Sequence, residues 1–95
     1  MSKISIADAL AQLPGWADNA GKLHREYKFA DFIHAFGFMA TSAIAIEAMN
    51  HHPEWCNIWN RVMVDLWTHD AGGVTAKDVA LAKKLDELAT KLGAA

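Results

Sequence analysis

Residues 47–69 hold three of the chain's five histidines, three of its four tryptophans and its only cysteine. Histidine has an ordinary pKa of roughly 6.5, so it gives or takes a proton near neutrality. Three of them among tryptophans point to an acid–base site with a flat aromatic lining. Glu47 and His51 stand four apart where a helical pattern ends and can meet on one face, the carboxylate fixing the imidazole's tautomer. Taken alone, that pair reads rather as an idle surface contact. His51 and His52 are adjacent, so their side chains diverge, and Pro53 holds His52 extended. Alone they would be two solvated histidines at a helix exit; Pro53, Trp55 and His69 shift the balance toward a site.

Three histidines also suit zinc with an open fourth position. No His-x-His or His-x-x-x-His pair falls on one regular element, so the expectation is metal-free acid–base chemistry with no cofactor. Cys56 has the makings of a nucleophile beside His51 or His52. It alternates with Ile58 toward the expected core, where a lone cysteine behaves as a small buried hydrophobe. Trp55 is the candidate for stacking on a planar ligand, while Trp16, Trp59 and Trp67 suit core or interface. His24 and His34 lie on the polar sides of their elements. Asp78 has a plain role as the acid of a capping box.

The elements that must position these residues follow from pattern and punctuation. Ser5-Ile6-Ala7-Asp8 has the form of a capping box, and the short helix it opens ends by Leu13, ahead of Pro14. Residues 16–18 and 23–29 read as a hairpin about Asn19-Ala20-Gly21. Leu23, Tyr27 and Phe29 share one side of its second strand, and Arg25 interrupts that side near an edge. Asp31 caps a second helix whose apolar stripe is Phe32, Phe36, Met39, Ala43 and Ile46. That helix stops near Asn50 because Pro53 disfavours helix at His52. Residues 55–59 and 62–68 form a second hairpin about Asn60-Arg61. Val62, Val64 and Leu66 face the core, and His69 leaves from the opposite face or from the strand end. Thr75-Ala76-Lys77-Asp78 caps a last helix with Leu81, Leu85, Leu88 and Leu92 on its apolar stripe and Gly93 as its stop. The expected fold is α+β: a four-stranded antiparallel sheet with three helices packed on one face, in the order α-β-β-α-β-β-α.

A chain of 95 residues is read as one domain, residues 1–95, with no room for a separate cofactor domain. Apolar residues make up 53% and charged ones 21%, an ordinary globular balance. The net charge of −2 argues against a sequence-independent nucleic-acid binder. A lone cysteine suggests a reducing, cytoplasmic setting. The longest weakly polar stretch, residues 36–46, is too short to span a bilayer, so no membrane is expected. So small a core makes homo-oligomerisation a natural way to bury more surface.

The pattern Glu47-x-x-x-His51-His52-Pro53-x-Trp55, then Asn57-x-Trp59-Asn60 and Thr68-His69, resembles the pterin-4a-carbinolamine dehydratases. Gly15-Trp16, the run Phe29-x-x-Phe32 with Ala35-Phe36-Gly37-Phe38-Met39, and Asp78 extend the resemblance over nearly the whole chain. The resemblance implies metal-free dehydration of 4a-hydroxytetrahydropterin to quinonoid dihydropterin, recycling the cofactor of aromatic amino acid hydroxylases. It implies His51, His52 and His69 as catalytic residues, with Glu47, Trp55 and Asp78 binding substrate around them. It also implies a homodimer or homotetramer and, as a competing role, a dimeric binding module or transcriptional coactivator with a vestigial site. Asn50 and Lys77 stand where some relatives carry Asp and Arg, and Trp67 is bulky for its place near the site.

Overall fold

The structure, a computed structural model, describes residues 2–95. Its elements run α1 (Ile6–Ala11), β1 (Ala17–Asn19), β2 (Lys22–Lys28), α2 (Phe32–Met49), β3 (Glu54–Ile58), β4 (Arg61–Leu66), a 3-10 turn (His69–Ala71) and α3 (Ala76–Lys91). This is the expected α+β order, with one four-stranded sheet arranged β1-β2-β4-β3. All its pairings are antiparallel. The two hairpins join through β2 and β4, in a register that sets Leu23 opposite Leu66 and Tyr27 opposite Val62. Leu23, Tyr27, Val62, Val64 and Leu66 are buried in one cluster with Ala9 of α1, Phe38 of α2 and Leu81 and Leu85 of α3, so the helices cover one face. The other face carries His24, Glu26, Met63 and Asp65, none of them buried.

Ser5, Asp31 and Thr75 cap the three helices as their positions predict. Asp31 accepts from the His34 amide and ring, which holds its carboxyl below the usual range. The second hairpin turns one residue earlier than expected: Ile58 pairs with Arg61, leaving Trp59-Asn60 as the loop. Trp59 adopts φ +49°, unusual for a bulky side chain. Side-chain amides brace the turn. Asn57 Nδ2 donates to the carbonyls of Trp59 and Arg61 at 3.0 and 2.8 Å, and Asn60 Nδ2 donates to the Phe29 carbonyl at 3.0 Å.

Helix α2 is rotated from the expected stripe. Its buried residues are Ala35, Phe38, Ser42 and Ile46, whereas Phe32 and Phe36 are about half exposed. Apolar residues surround nearly the whole helix, so spacing alone cannot choose the inward face. Tyr27 and Phe29 choose it: their rings lie 5.0 and 5.2 Å from that of Phe38, and the small Ala35 and Ser42 flank the contact. The full 18-residue helix is also long and apolar enough to cross a membrane by composition, unlike residues 36–46 taken alone.

Arg25, on the inward side of β2, lies one residue past the last β1 pair, Ala17 with His24. Its guanidinium reaches Asp86 of α3 at 3.1 Å and crosses Gly15, where a Cβ would approach Nη1 to 2.8 Å. Gly15 takes φ +90°, a conformation that favours glycine, whereas the Arg25 contact alone could be relieved by a shift of the flexible guanidinium. Asp86 also accepts from Tyr27 OH at 2.6 Å and from Trp16 Nε1 at 3.1 Å. One carboxylate thus ties α3 to the first hairpin. Burial and the adjacent Asp86 push the Tyr27 hydroxyl far above its ordinary range.

Asp86→Ala leaves the Tyr27 and Trp16 donors unmet, and should lower stability by roughly 2–4 kcal/mol in urea titrations. Tyr27 keeps its proton in the folded state, while in the unfolded chain it loses it above pH 10.0. Its contribution is therefore complete below that pH and declines as pH rises beyond it. Tyr27→Phe should remove this part of the alkaline loss, read as denaturation midpoints across the range.

Candidate active site

Three chain reversals bring the histidines together. Helix α2 ends with Asn50 in the left-handed conformation at φ +51°. The His51 amide bonds back to the Ile46 carbonyl and the Asn50 amide to that of Glu47, a pairing that turns the chain sharply off the helix. His51 is thereby tucked under the exit while Pro53 leads the chain into β3. At the far end of β4, Thr68 pairs with Gly73, and its carbonyl accepts from Ala71 and Gly72. That closed loop carries His69 on its first turn. The third reversal is the capping box of α3, in which Asp78 Oδ2 accepts from the Thr75 amide at 2.8 Å.

His51, His52 and His69 line one open cavity of about 450 Å³, together with Trp67, Thr68 and Lys77 among others. His51 is buried and its Nε2 lies 2.5 Å from Oδ1 of Asp78, which is fully buried. Asp78 Oδ2 also accepts from Thr68 Oγ1 at 2.8 Å. An ionised carboxylate has only lone pairs to offer, so His51 donates through Nε2 and, in the neutral ring, Nδ1 is the acceptor. Asp78 is thus both the capping acid read from sequence and the partner of His51.

Glu47 does not reach His51. Its carboxylate pairs with His52 Nε2 at 2.9 Å, on the exposed side of the helix exit. The reason is the left-handed turn at Asn50, which takes His51 off the helical face where an i, i+4 contact would form. Trp55 pairs with Val64 and packs, half-buried, against the core rather than lining the main cavity. The aromatic wall is Trp67, whose ring meets that of His69 edge-on at 5.8 Å. Lys22 Nζ lies 5.3 Å from the Trp67 ring and 2.8 Å from Glu54. Alternation along β4 put Trp67 on the same side as His69; its neighbour from β2 could come only from strand pairing. Cys56 is exposed, contrary to the expected inward position, because it stands opposite Met63 on the open face. His24 bonds Asp65 across strands and His34 bonds Asp31; neither histidine lines the cavity, although Asp65 does. Among the described residues, no three His, Cys, Asp or Glu side chains group as a metal-ligand set.

Such a site can hold a flat polar ring against Trp67 and offer it imidazoles from two directions. A family model described as pterin 4 alpha carbinolamine dehydratase matches residues 1–88. A protein of Solibacter usitatus, provisionally named pterin-4-alpha-carbinolamine dehydratase, is 63% identical over 94% of this chain and 94% of its own. One of the same provisional name from Afipia carboxidovorans is 51% identical over 90% of this chain and 87% of its own. The crystal structure of a transcriptional coactivator/pterin dehydratase from Brucella melitensis superposes with a TM-score of 0.86 at 42% identity, covering 93% of this chain and 99% of that one.

The tautomer is directly measurable. In nitrogen-15 spectra of the imidazoles, the neutral His51 ring should carry its proton on Nε2, and Asp78→Ala should abolish that preference. A neutral His51 protonated on Nδ1 in the wild-type protein would contradict the pairing with Asp78.

Proposed function

The chain belongs to the pterin 4 alpha carbinolamine dehydratase family, whose members are hydro-lyases, and from that premise we propose that His51 and His69 carry out the dehydration by metal-free proton transfer while His52 binds the substrate. The substrate is 4a-hydroxytetrahydropterin and the product quinonoid dihydropterin, recycled for an aromatic amino acid hydroxylase. One observation carries the assignment: three imidazoles border one cavity, and one of them is backed by a buried carboxylate.

The reaction breaks the bond from C4a to the hydroxyl oxygen. A ring nitrogen's lone pair helps expel the hydroxyl, so the protein need supply only an acid for the leaving oxygen and a base for a ring proton. His51, with Nε2 committed to Asp78, has Nδ1 free to receive the ring proton. His69, edge-on to Trp67, delivers a proton to the departing hydroxyl. One proton is given and one taken, and the net loss is water. His52, paired with Glu47 at the rim, binds substrate. Well-placed general acid–base groups contribute roughly 10²–10⁴ each, which suffices for so activated a leaving group. Trp67 provides the flat wall, and Trp55 supports the strand beneath it.

We also propose that the chain works as a homodimer or homotetramer through α2. Phe32, Ile33, Phe36 and Ile44 are 48%, 78%, 55% and 75% exposed and form one apolar surface. The same surface favours a second role, as a dimeric binding module or transcriptional coactivator with an idle site, and the Brucella relative's description includes a coactivator.

With freshly generated 4a-hydroxytetrahydropterin, His51→Ala and His69→Ala should each lower kcat roughly 10²–10⁴-fold while the protein stays folded. His52→Ala should act mainly on KM. A chelator should leave the rate unchanged; a chelator-sensitive rate would refute metal-free transfer. A wild-type protein with no activity above background would favour the binding module. Replacing Phe36 and Ile44 together with glutamate should yield monomers by light scattering; an unchanged mass would remove α2 from the assembly.

A further inference from the structure

We infer that Thr68 is a positioning residue for the dehydration: its hydroxyl holds the Asp78 carboxylate in place for His51 while its backbone carries His69. This rests on the acid–base assignment above and adds a residue to it. Thr68 Oγ1 lies 2.8 Å from Asp78 Oδ2 and 2.7 Å from Thr75 Oγ1. A threonine hydroxyl has one proton, and the buried carboxylate can only accept. Thr68 therefore gives its proton to Asp78, and Thr75 gives its own to Thr68. Thr75 Oγ1 in turn accepts from the Lys77 amide at 3.3 Å. The hydrogen bonds run in one direction, from the start of α3 through two hydroxyls into the carboxylate.

The arrangement leaves Asp78 Oδ2 saturated by Thr68 and the Thr75 amide, and Oδ1 to His51. The carboxylate cannot swing without breaking a bond on its other oxygen, so the imidazole it holds is fixed in angle as well as in tautomer. The same Thr68 closes the loop that presents His69, pairing with Gly73 through its amide at 2.9 Å. A single residue thus sets the distance between the two proton-transfer groups, one through its side chain and the other through its main chain. Thr68 also borders the cavity, yet its hydroxyl is already engaged with Asp78 and Thr75. Its effect on rate is exerted through His51.

The test compares Thr68→Val, which keeps the shape and removes the hydroxyl, with Thr68→Ser, which restores it. Small misplacements of a catalytic group cost up to about 10²-fold. Thr68→Val should lower kcat roughly 10- to 100-fold with KM changed less than about threefold, and shift the pH dependence of kcat. It should also weaken the Nε2 proton signal of His51. Thr68→Ser should recover most of the rate and that signal. Thr68→Ala serves the same comparison should the valine variant not fold. A folded Thr68→Val with wild-type kcat and pH profile, beside an inactive His51→Ala, overturns this inference alone. An active His51→Ala overturns the acid–base assignment itself. A loss of kcat in Thr68→Ser equal to that in Thr68→Val would also overturn the role given to the hydroxyl.

Discussion

A carboxylate with no access to solvent holds the site end of this fold together. Removing an ionised group from water is very costly unless it is fully hydrogen-bonded. Asp78 meets that demand from three segments: His51 from the exit of α2, Thr68 from the exit of β4, and the Thr75 amide at the start of its own helix. Its place in the first turn of α3 adds the favourable end of the helix dipole. Satisfying the charge and assembling the site are therefore one event. Until the three segments meet, the carboxylate lacks its partners, and once they meet, two of the three histidines have their places.

A second carboxylate on α3 does the corresponding work at the other end of the sheet. Asp86 follows Asp78 by eight residues, a little over two turns or about 12 Å along the axis; Asp78 is buried with Leu81 and Leu85, and Asp86 lies partly exposed at the margin of that face. Asp86 collects Trp16, Arg25 and Tyr27 from the first hairpin. Helix α3 is fixed to the sheet by polar contacts near each end and by leucines between them. Buried leucines supply most of the favourable free energy but tolerate sliding; directional bonds to the two carboxylates do not. Registration of α3 on the sheet is what aligns Thr75 and Asp78 beneath His51.

Helix α2 divides its duties differently. One face packs Phe38 against Tyr27 and Phe29, the opposite face leaves Phe32, Ile33, Phe36 and Ile44 open, and its last turn launches His51. A partner seated on the open face would press on the same rigid rod that positions the imidazole. The proposed assembly face and the candidate site would thus be mechanically adjacent, although the cavity lining itself begins at Asn50, just past the end of the helix, and continues through Asp65 of β4 and the segment that follows it.

The element order, the three helix caps, the stop at Asn50 and the inward leucines of α3 were all legible in the sequence. Each depends on contacts within a few residues, where spacing and side-chain chemistry suffice. The histidine pattern likewise marked the candidate site, whose cavity all three border, because a helix exit and a strand end are local features. The rotation of α2 was not legible, since apolar residues nearly encircle it and only the aromatic surface of the sheet selects Phe38 over Phe32 and Phe36. Nor was the pairing of His51 with Asp78 in place of Glu47, because a left-handed residue at Asn50 breaks the helical spacing that joined Glu47 to His51. Trp67 replaced Trp55 as the cavity wall for a similar reason: strand register, set by cross-sheet hydrogen bonds, decides which face each side chain takes. The sequence by itself marked which groups could do chemistry and determined on which elements they ride. Only the tertiary structure decided which groups meet, because a buried charge takes its partners from whatever segments the packing brings within 3 Å or so of it.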